Sequence, residues 1–357
     1  MGLVIFRADA NHSIGMGHIM RCLSIADAFK DIGYRVSFIV ADDGITNIVH
    51  DRGYETVILH SDFSSMEEEI DYWPLIHPDY IIVDSYYVTS KYLQELNKFG
   101  KRIVYIDDVY AFPYPVDVLV NYGINCNRDI YQLLYDDSNI KLPYCIIGPE
   151  YAPLRSMFQG IEKKVQAKTV RNILVSTGGA DELHIALTMV YDLLKRNEDK
   201  YTYHFLIGKM NTDKEKIYSL IRDNNPKYVL HESVSDMKSL IYSCDLVVSA
   251  AGSTLYEICA CGVPFVTYGL ADNQIPAAKK FDDMGLGVYI GDLRDPATVN
   301  PSDIISGKLK EGVTDLIFST CCELAKDYDR RVEMGKRMQE LIDGYGAKRI
   351  VSKIIEE

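Results

Sequence analysis

Ala8-Asp9-Ala10-Asn11-His12-Ser13-Ile14-Gly15-Met16-Gly17-His18-Ile19-Met20-Arg21 joins two segments of different periodicity. Before it, Leu3-Val4-Ile5-Phe6 is a short apolar run; after it, Ile19, Met20, Leu23, Ile25, Ala26 and Phe29 recur at helical spacing. The segment therefore reads as strand, glycine loop, helix. Gly15 and Gly17 let the backbone turn sharply and approach a ligand with no Cβ in the way, and the helix start offers unpaired N–H groups to an anion. A dinucleotide fingerprint is excluded, because His18 follows the second glycine and no third glycine comes three residues on. Imidazole chemistry suits general base work near neutrality, and the same position equally suits a helix-capping or packing histidine.

Further strand-length apolar runs lie at 34–41, 55–60, 80–85, 102–108, 117–122 and 144–148, with helical stretches between them. Continuous apolar strands alternating with helices indicate a parallel sheet covered on both faces. The polar, lysine-rich segment 159–171 reads as a linker, after which the pattern restarts at 172–177, 203–208, 228–231, 246–250, 264–268 and 287–290. The expected fold class is α/β, with two doubly wound Rossmann-like domains facing each other across a cleft. They occupy residues 1–160 and 161–340, and a C-terminal helix in 341–357 crosses back to the first domain. Ligands of such sheets bind beyond the carboxyl ends of the strands, so the residues just after strands are the candidates.

With 357 residues and a prior of about 150 residues per domain, two domains are expected. A net charge of -13 argues against nucleic acid as a partner, since phosphate backbones are held by basic surfaces. One diphosphate, held by a few backbone N–H groups, remains compatible with it. The eight cysteines show no C-x-x-C pair and lie mostly in apolar stretches, which reads as a reduced, buried set. No apolar run reaches membrane-span length, and the N-terminus lacks a signal-peptide pattern, so the cytoplasm without stable membrane insertion is the expected location.

Asp84, Ser85 and Tyr86 follow one strand run and Asp107 and Asp108 another. A carboxylate there orients a histidine, binds sugar hydroxyls or caps the next helix. Ser176-Thr177-Gly178-Gly179-Ala180-Asp181 is a second glycine turn between strand and helix, another candidate anion cradle. In Ser249-Ala250-Ala251-Gly252-Ser253-Thr254-Leu255-Tyr256-Glu257, Gly252, Ser253 and Thr254 are placed to donate to a diphosphate and Glu257 to accept from a ribose diol; the alternative makes Ser253 and Glu257 ordinary helix-start residues. In Leu270-Ala271-Asp272-Asn273-Gln274, the amides of Asn273 and Gln274 suit sugar hydroxyls, and capping by Asp272 or Asn273 is the alternative.

Taken in this order, Arg7-Ala8-Asp9 with 14–23, Val83-Asp84-Ser85-Tyr86, Ile106-Asp107-Asp108, Tyr151-Ala152-Pro153-Leu154-Arg155, Gly178-Gly179-Ala180-Asp181, Ala251-Gly252-Ser253-Thr254 with Glu257, and Ala271-Asp272-Asn273-Gln274 resemble the nucleotide-sugar enzymes of the GT-B fold. The resemblance is closest to the UDP-sugar hydrolases of pseudaminic acid biosynthesis and their spore-coat polysaccharide relatives. It implies that His18 is the catalytic base, and that UDP sits on the second domain with Glu257 at the ribose and Gly252, Ser253 and Thr254 at the diphosphate. Gly178 and Gly179 join that UDP set. Gly15, Gly17, Asp84, Tyr86, Asn273 and Gln274 fall on the sugar side. The implied reaction is inverting hydrolysis of a UDP-linked 2,4-diacetamido-2,4,6-trideoxy sugar to UDP and free sugar, with no metal and no cofactor. The chain departs from the family pattern at Asn121-Tyr122-Gly123, where Asp-Gln-Asn is usual, and at Ser85, where His or Asn is common. A GT-B glycosyltransferase using a UDP-sugar donor, and a nucleotide-sugar binding protein without turnover, are the alternatives.

Overall fold

The computed structural model of the protein describes residues 2–11, 14–224, 227–295 and 311–357. His12 and Ser13 of the opening stretch therefore lie outside the described residues. The chain divides into two compact units, Met1–Gln159 together with Gly344–Glu357, and Gly160–Asp343.

In the first unit the apolar runs form β1 (Leu3–Ala8), β2 (Arg35–Val40), β3 (Glu55–Ile58), β4 (Tyr80–Asp84), β5 (Arg102–Ile106), β6 (Val118–Asn121) and β7 (Tyr144–Ile147). They make one parallel sheet in the order β3-β2-β1-β4-β5-β6-β7. Helices cover both faces, so the central strands are buried almost throughout, as their unbroken apolar runs require. Strand order reverses between β1 and β4, and Ala8 stands beside Asp84 in register. That reversal is where an open α/β sheet parts its loops to leave room for a ligand.

The helix Gly346–Glu356 belongs to this unit and packs with the helix Gly17–Asp31. Its Ala347, Ile350, Val351 and Ile354 recur on one face and join the core around Phe6 and Phe29. Full burial of each large aliphatic residue is worth about 1.5–3 kcal/mol. The chain enters this helix through Gly344, whose φ is +82° and where a Cβ would stand 2.0 Å from the Phe158 carbonyl oxygen. On the other face of the sheet, Arg7 is fully buried and donates twice to Glu69 at 2.7 Å, while Tyr92 donates to the same carboxylate at 2.5 Å. Arg7 also binds Asp9, whose other oxygen accepts from the Ala41 N–H at 2.8 Å. Arg7-Ala8-Asp9 is thus a clamp on the end of β1.

The second unit contains β8 (Asn172–Ser176), β9 (Thr202–Ile207), β10 (Tyr228–Glu232), β11 (Leu246–Ala250), β12 (Phe265–Gly269) and β13 (Val288–Asp292). Its sheet is parallel in the order β10-β9-β8-β11-β12-β13, with the reversal between β8 and β11 and Ser176 beside Ser249. β9 departs from the continuous apolar pattern: Tyr203, Phe205 and Ile207 are buried, while Thr202, His204 and Leu206 are half-buried. Residues 159–171 hold no strand or α-helix, yet from Gly160 on they belong to this unit and are tied to it. Lys164 N–H donates to Gln339 at 2.8 Å, Gln166 donates to the Gly262 carbonyl at 2.8 Å, and Arg331 donates to the Ala167 carbonyl at 2.8 Å. The eight cysteines are free thiols, and Cys126 and Cys322 are the two that are not fully buried. Among the described residues, no helix is long and apolar enough to cross a membrane.

Candidate active site

The helix Gly17–Asp31 starts in the loop after β1. Gly15 takes a φ of +78°, and Met16, at the N-cap, makes no side-chain capping bond. His18, on the first turn, is 4% exposed, and its side chain turns to the end of β4 instead of capping the helix. There its Nδ1 lies 2.5 Å from Asp84 Oδ1. Arg21, three residues on and therefore on the same helix face, grips Asp84 with Nε on Oδ2 and Nη2 on Oδ1, both at 2.5 Å. Its Nη1 donates to Asp108 Oδ2 and to the Tyr122 hydroxyl, both at 3.1 Å.

Burial acts to raise the Asp84 carboxyl, but Arg21 and then His18 outweigh it and hold the group well below the usual carboxylate range. An ionised Asp84 has only acceptors to offer, so the hydrogen shared with His18 sits on Nδ1. The contact of 3.1 Å between Arg21 Nη2 and His18 Nδ1 is then two donors converging on Asp84 Oδ1, not a bond between them. Fixing the proton on Nδ1 leaves the Nε2 lone pair as the basic site, and no described residue hydrogen-bonds to Nε2. Tyr86, 42% exposed, sets its ring edge-on to the imidazole with centroids 4.5 Å apart, and its hydroxyl donates to Asp108 at 3.1 Å. Burial and the neighbouring Asp108 push that phenol up, which keeps it a donor. Arg21 thus stands between two carboxylates, Asp84 and Asp108, beside the imidazole.

Asp107, equivalent to Asp84 in sequence, has a different task. Its carboxylate accepts from the hydroxyls of Tyr114 at 2.8 Å and Tyr131 at 2.5 Å, and from the Val109 N–H at 3.0 Å. It is consumed in holding its own loop. Asp108, one of the carboxylates noted after β5, joins the His18 cluster, as do Arg21 and Tyr122, to which sequence reasoning gave no role. The i, i+3 spacing of His18 and Arg21 was the available signal for Arg21.

In the second unit, the loops after β8, β11 and β12 line a cavity of about 320 Å³. It brings together Gly178, Gly179, Gly252, Thr254 and Gln274 from the sequence candidates, with Ser176, Asp181, Ser249 and Arg294 among the other lining residues. Ser253, Glu257 and Asn273 do not line it. Ser253 and Asn273 occupy the N-cap positions of the helices Thr254–Cys261 and Gln274–Asp283 without making a side-chain capping bond. Glu257 is half-buried on the first turn of the former. The Gln274 side chain accepts from the Leu270 N–H at 2.9 Å and so shapes its own loop. Asp181 caps the helix Ile185–Arg196, accepting from the N–H groups of Ile185 and Ala186 at 3.0 Å each, and burial pushes its carboxyl up to about 6. Among the described residues no group of three or more His, Cys, Asp or Glu is placed to hold a metal ion.

Over its whole length the chain matches the crystal structure of Acinetobacter baumannii MurG with a TM-score of 0.64 at 16% identity, each chain covered to 100%. The fold is of the GT-B type. The spinosyn rhamnosyltransferase SpnG, complexed with spinosyn aglycone, matches with a TM-score of 0.57 at 13% identity, again with both chains covered to 100%. Residues 172–304 match the glycosyltransferase family 28 C-terminal domain. In sequence, the chain is 25% identical to the spore coat polysaccharide biosynthesis protein SpsG of Bacillus subtilis over 360 residues, covering 97% of this chain and 95% of that protein. It is 24% identical over 292 residues to an uncharacterized protein of Methanocaldococcus jannaschii, covering 75% of this chain. It is 22% identical over 278 residues to the Helicobacter pylori pseudaminic acid cytidylyltransferase and UDP-2,4-diacetamido-2,4,6-trideoxy-beta-L-altropyranose hydrolase, covering 76% of this chain. Of the last two relatives the match spans about half the length, 55% and 45% respectively.

Proposed function

We propose that the protein is a nucleotide-sugar enzyme that hydrolyses a UDP-linked 2,4-diacetamido-2,4,6-trideoxy sugar, or a related UDP-amino sugar, at the anomeric carbon. The product feeds synthesis of a nonulosonic acid or another surface glycan. The observation that carries the reading is the His18–Asp84 pair, an imidazole held through Nδ1 by a buried carboxylate, with no described residue bonded to Nε2. In the reaction, His18 Nε2 takes a proton from water as the water oxygen bonds to the anomeric carbon. The bond from that carbon to the β-phosphate oxygen breaks, and UDP leaves with the electron pair. Asp84 stabilises the imidazolium that forms. UDP is assigned to the second unit. There Gly178, Gly179, Gly252, Ser253 and Thr254 serve the diphosphate and Glu257 the ribose, with helix N-termini offering N–H groups to the leaving anion. Gly15, Gly17, Tyr86, Asn273 and Gln274 are assigned to the sugar.

The name of the Helicobacter pylori relative supports hydrolysis, and the match to the family 28 C-terminal domain favours transfer to an acceptor hydroxyl as the second reading. Incubation with UDP-amino sugars in ¹⁸O-water, with EDTA and without any acceptor, separates them. Hydrolysis releases UDP and puts the label in the sugar. Release of UDP only on addition of an acceptor establishes transfer, and label in the phosphate excludes attack at the anomeric carbon.

A further inference from the structure

Arg294 lies two residues beyond the end of β13 and is, among the described residues, the only cation lining the cavity of the second unit. Its Nε and Nη2 fork onto the two oxygens of Asp292, at 3.0 and 2.8 Å, which fixes the plane of the guanidinium. Nη2 also donates to Asp272 Oδ1 at 2.7 Å, and no described residue accepts from Nη1. The end-on edge of the group, formed by Nη1 and Nη2, is therefore only half used. Its present partner is a poor competitor: the Asp272 side chain is 98% exposed, and an ion pair between solvated side chains is weakly held. Asp272 was a candidate helix cap in the sequence; the residue at the N-cap is Asn273, and Asp272 faces the guanidinium instead. A carboxylate and a phosphate present the same pair of oxygens to a planar fork, and a phosphate does so with more charge.

We infer that Arg294 is a phosphate-binding residue of this cavity, and that Asp272 is an exchangeable anion occupying its end-on edge until a nucleoside diphosphate replaces it. Asp292 is a positioning residue that keeps the guanidinium aimed. The inference rests on the assignment of UDP to the second unit and adds to it a side-chain cation that meets the diphosphate.

Binding of UDP and of uridine to the full chain, measured by calorimetry and ligand-observed NMR on wild type, Arg294→Gln, Arg294→Lys and Asp272→Asn, tests it. Arg294→Gln weakens UDP about tenfold or more, a charge-assisted pair being lost, and leaves uridine within about twofold. Arg294→Lys keeps the charge without the fork and falls between. Asp272→Asn tightens UDP by about two- to fivefold by removing the competitor. If Arg294→Gln binds UDP within twofold of wild type, or loses UDP and uridine in equal proportion, Arg294 does not bind phosphate, while UDP binding by the protein stands. If Asp272→Asn weakens UDP as Arg294→Gln does, Asp272 is a support and the exchange is overturned. If wild type binds neither probe, the assignment of UDP to this unit fails, and the inference with it. Thermal melting of each variant checks folding.

Discussion

At the strand reversal of the first sheet the side chains that meet are His18, Arg21, Asp84 and Asp108, joined in one hydrogen-bonded cluster. At the reversal of the second sheet the loops bring Ser176, Gly178, Gly179, Gly252 and Thr254 to a cavity in which Arg294 is the single cation among described residues. The topology is the same, and the chemistry is opposite. A place that holds and moves a proton needs fixed charges to set which nitrogen is basic. A place that holds an anion of several oxygens needs open backbone N–H groups, and large side chains obstruct them. The doubly wound sheet supplies the position, and the loop residues decide the use.

The sharpest way to break this contrast is His18→Ala. It is expected to lower turnover by about 100- to 10,000-fold while leaving UDP affinity unchanged, checked by steady-state rates beside calorimetry. A large change in affinity instead would mean that the first unit also holds nucleotide. Next, Asp84→Asn removes the carboxylate that faces His18 and Arg21. Leaving a buried guanidinium without its main partner costs about 3–5 kcal/mol, read as a fall in the denaturation midpoint of the first unit, and turnover falls with it. At Gly252 a Cβ would meet nothing within 4 Å, so Gly252→Val is expected to preserve the melting temperature. The same side chain protrudes into the cavity and should weaken UDP about tenfold, the inverse of the His18 result.

The smallest effect separates the two units by pH. Burial pushes Asp181 up to about 6 from its ordinary 3.8, so at pH 5 the folded state keeps a proton that the unfolded chain has released. Its contribution to stability therefore rises by about 1 kcal/mol as pH falls from 7 to 5. Asp84 has the other sign: held low by its partners in the fold, its contribution is present above the unfolded value and is lost only as pH falls below it. Burial pushes His204 and His231 down, so they cost stability below their ordinary 6.5, in the same unit as Asp181. The measurement is accordingly the difference between wild type and Asp181→Asn melting curves from pH 7 to 5. A difference that does not change with pH would refute the assignment to Asp181.

Much of this was legible in the sequence, and the boundary is physical. Continuous apolar runs marked the buried parallel strands because both their faces are covered, and β9, with one half-buried face, is where that reading weakens. Gly15 and Gly178 marked turns because their backbones adopt positive φ. Asp84 and Asp107 were indistinguishable, each following a strand. What separates them is whether a histidine or two tyrosine hydroxyls fold against the carboxylate, and His18 lies 66 residues from Asp84 and Tyr131 24 residues from Asp107. Arg294 carried no pattern at all, since its partner Asp272 is 22 residues away on another loop. The capping roles offered for Ser253 and Asn273 were sound local chemistry, yet neither side chain makes a capping bond.

The helix Gly346–Glu356 has a consequence for the order of events during synthesis. Residues of the second unit are all present once Asp343 has been made, and they are contiguous. The first unit is interrupted by them, and its core lacks Ile350, Val351 and Ile354 until almost 200 further residues have followed Gln159. The first unit therefore leaves the ribosome with the apolar residues that pack against this helix, on Gly17–Asp31 among others, still uncovered. The unit that begins first is the one that is completed last.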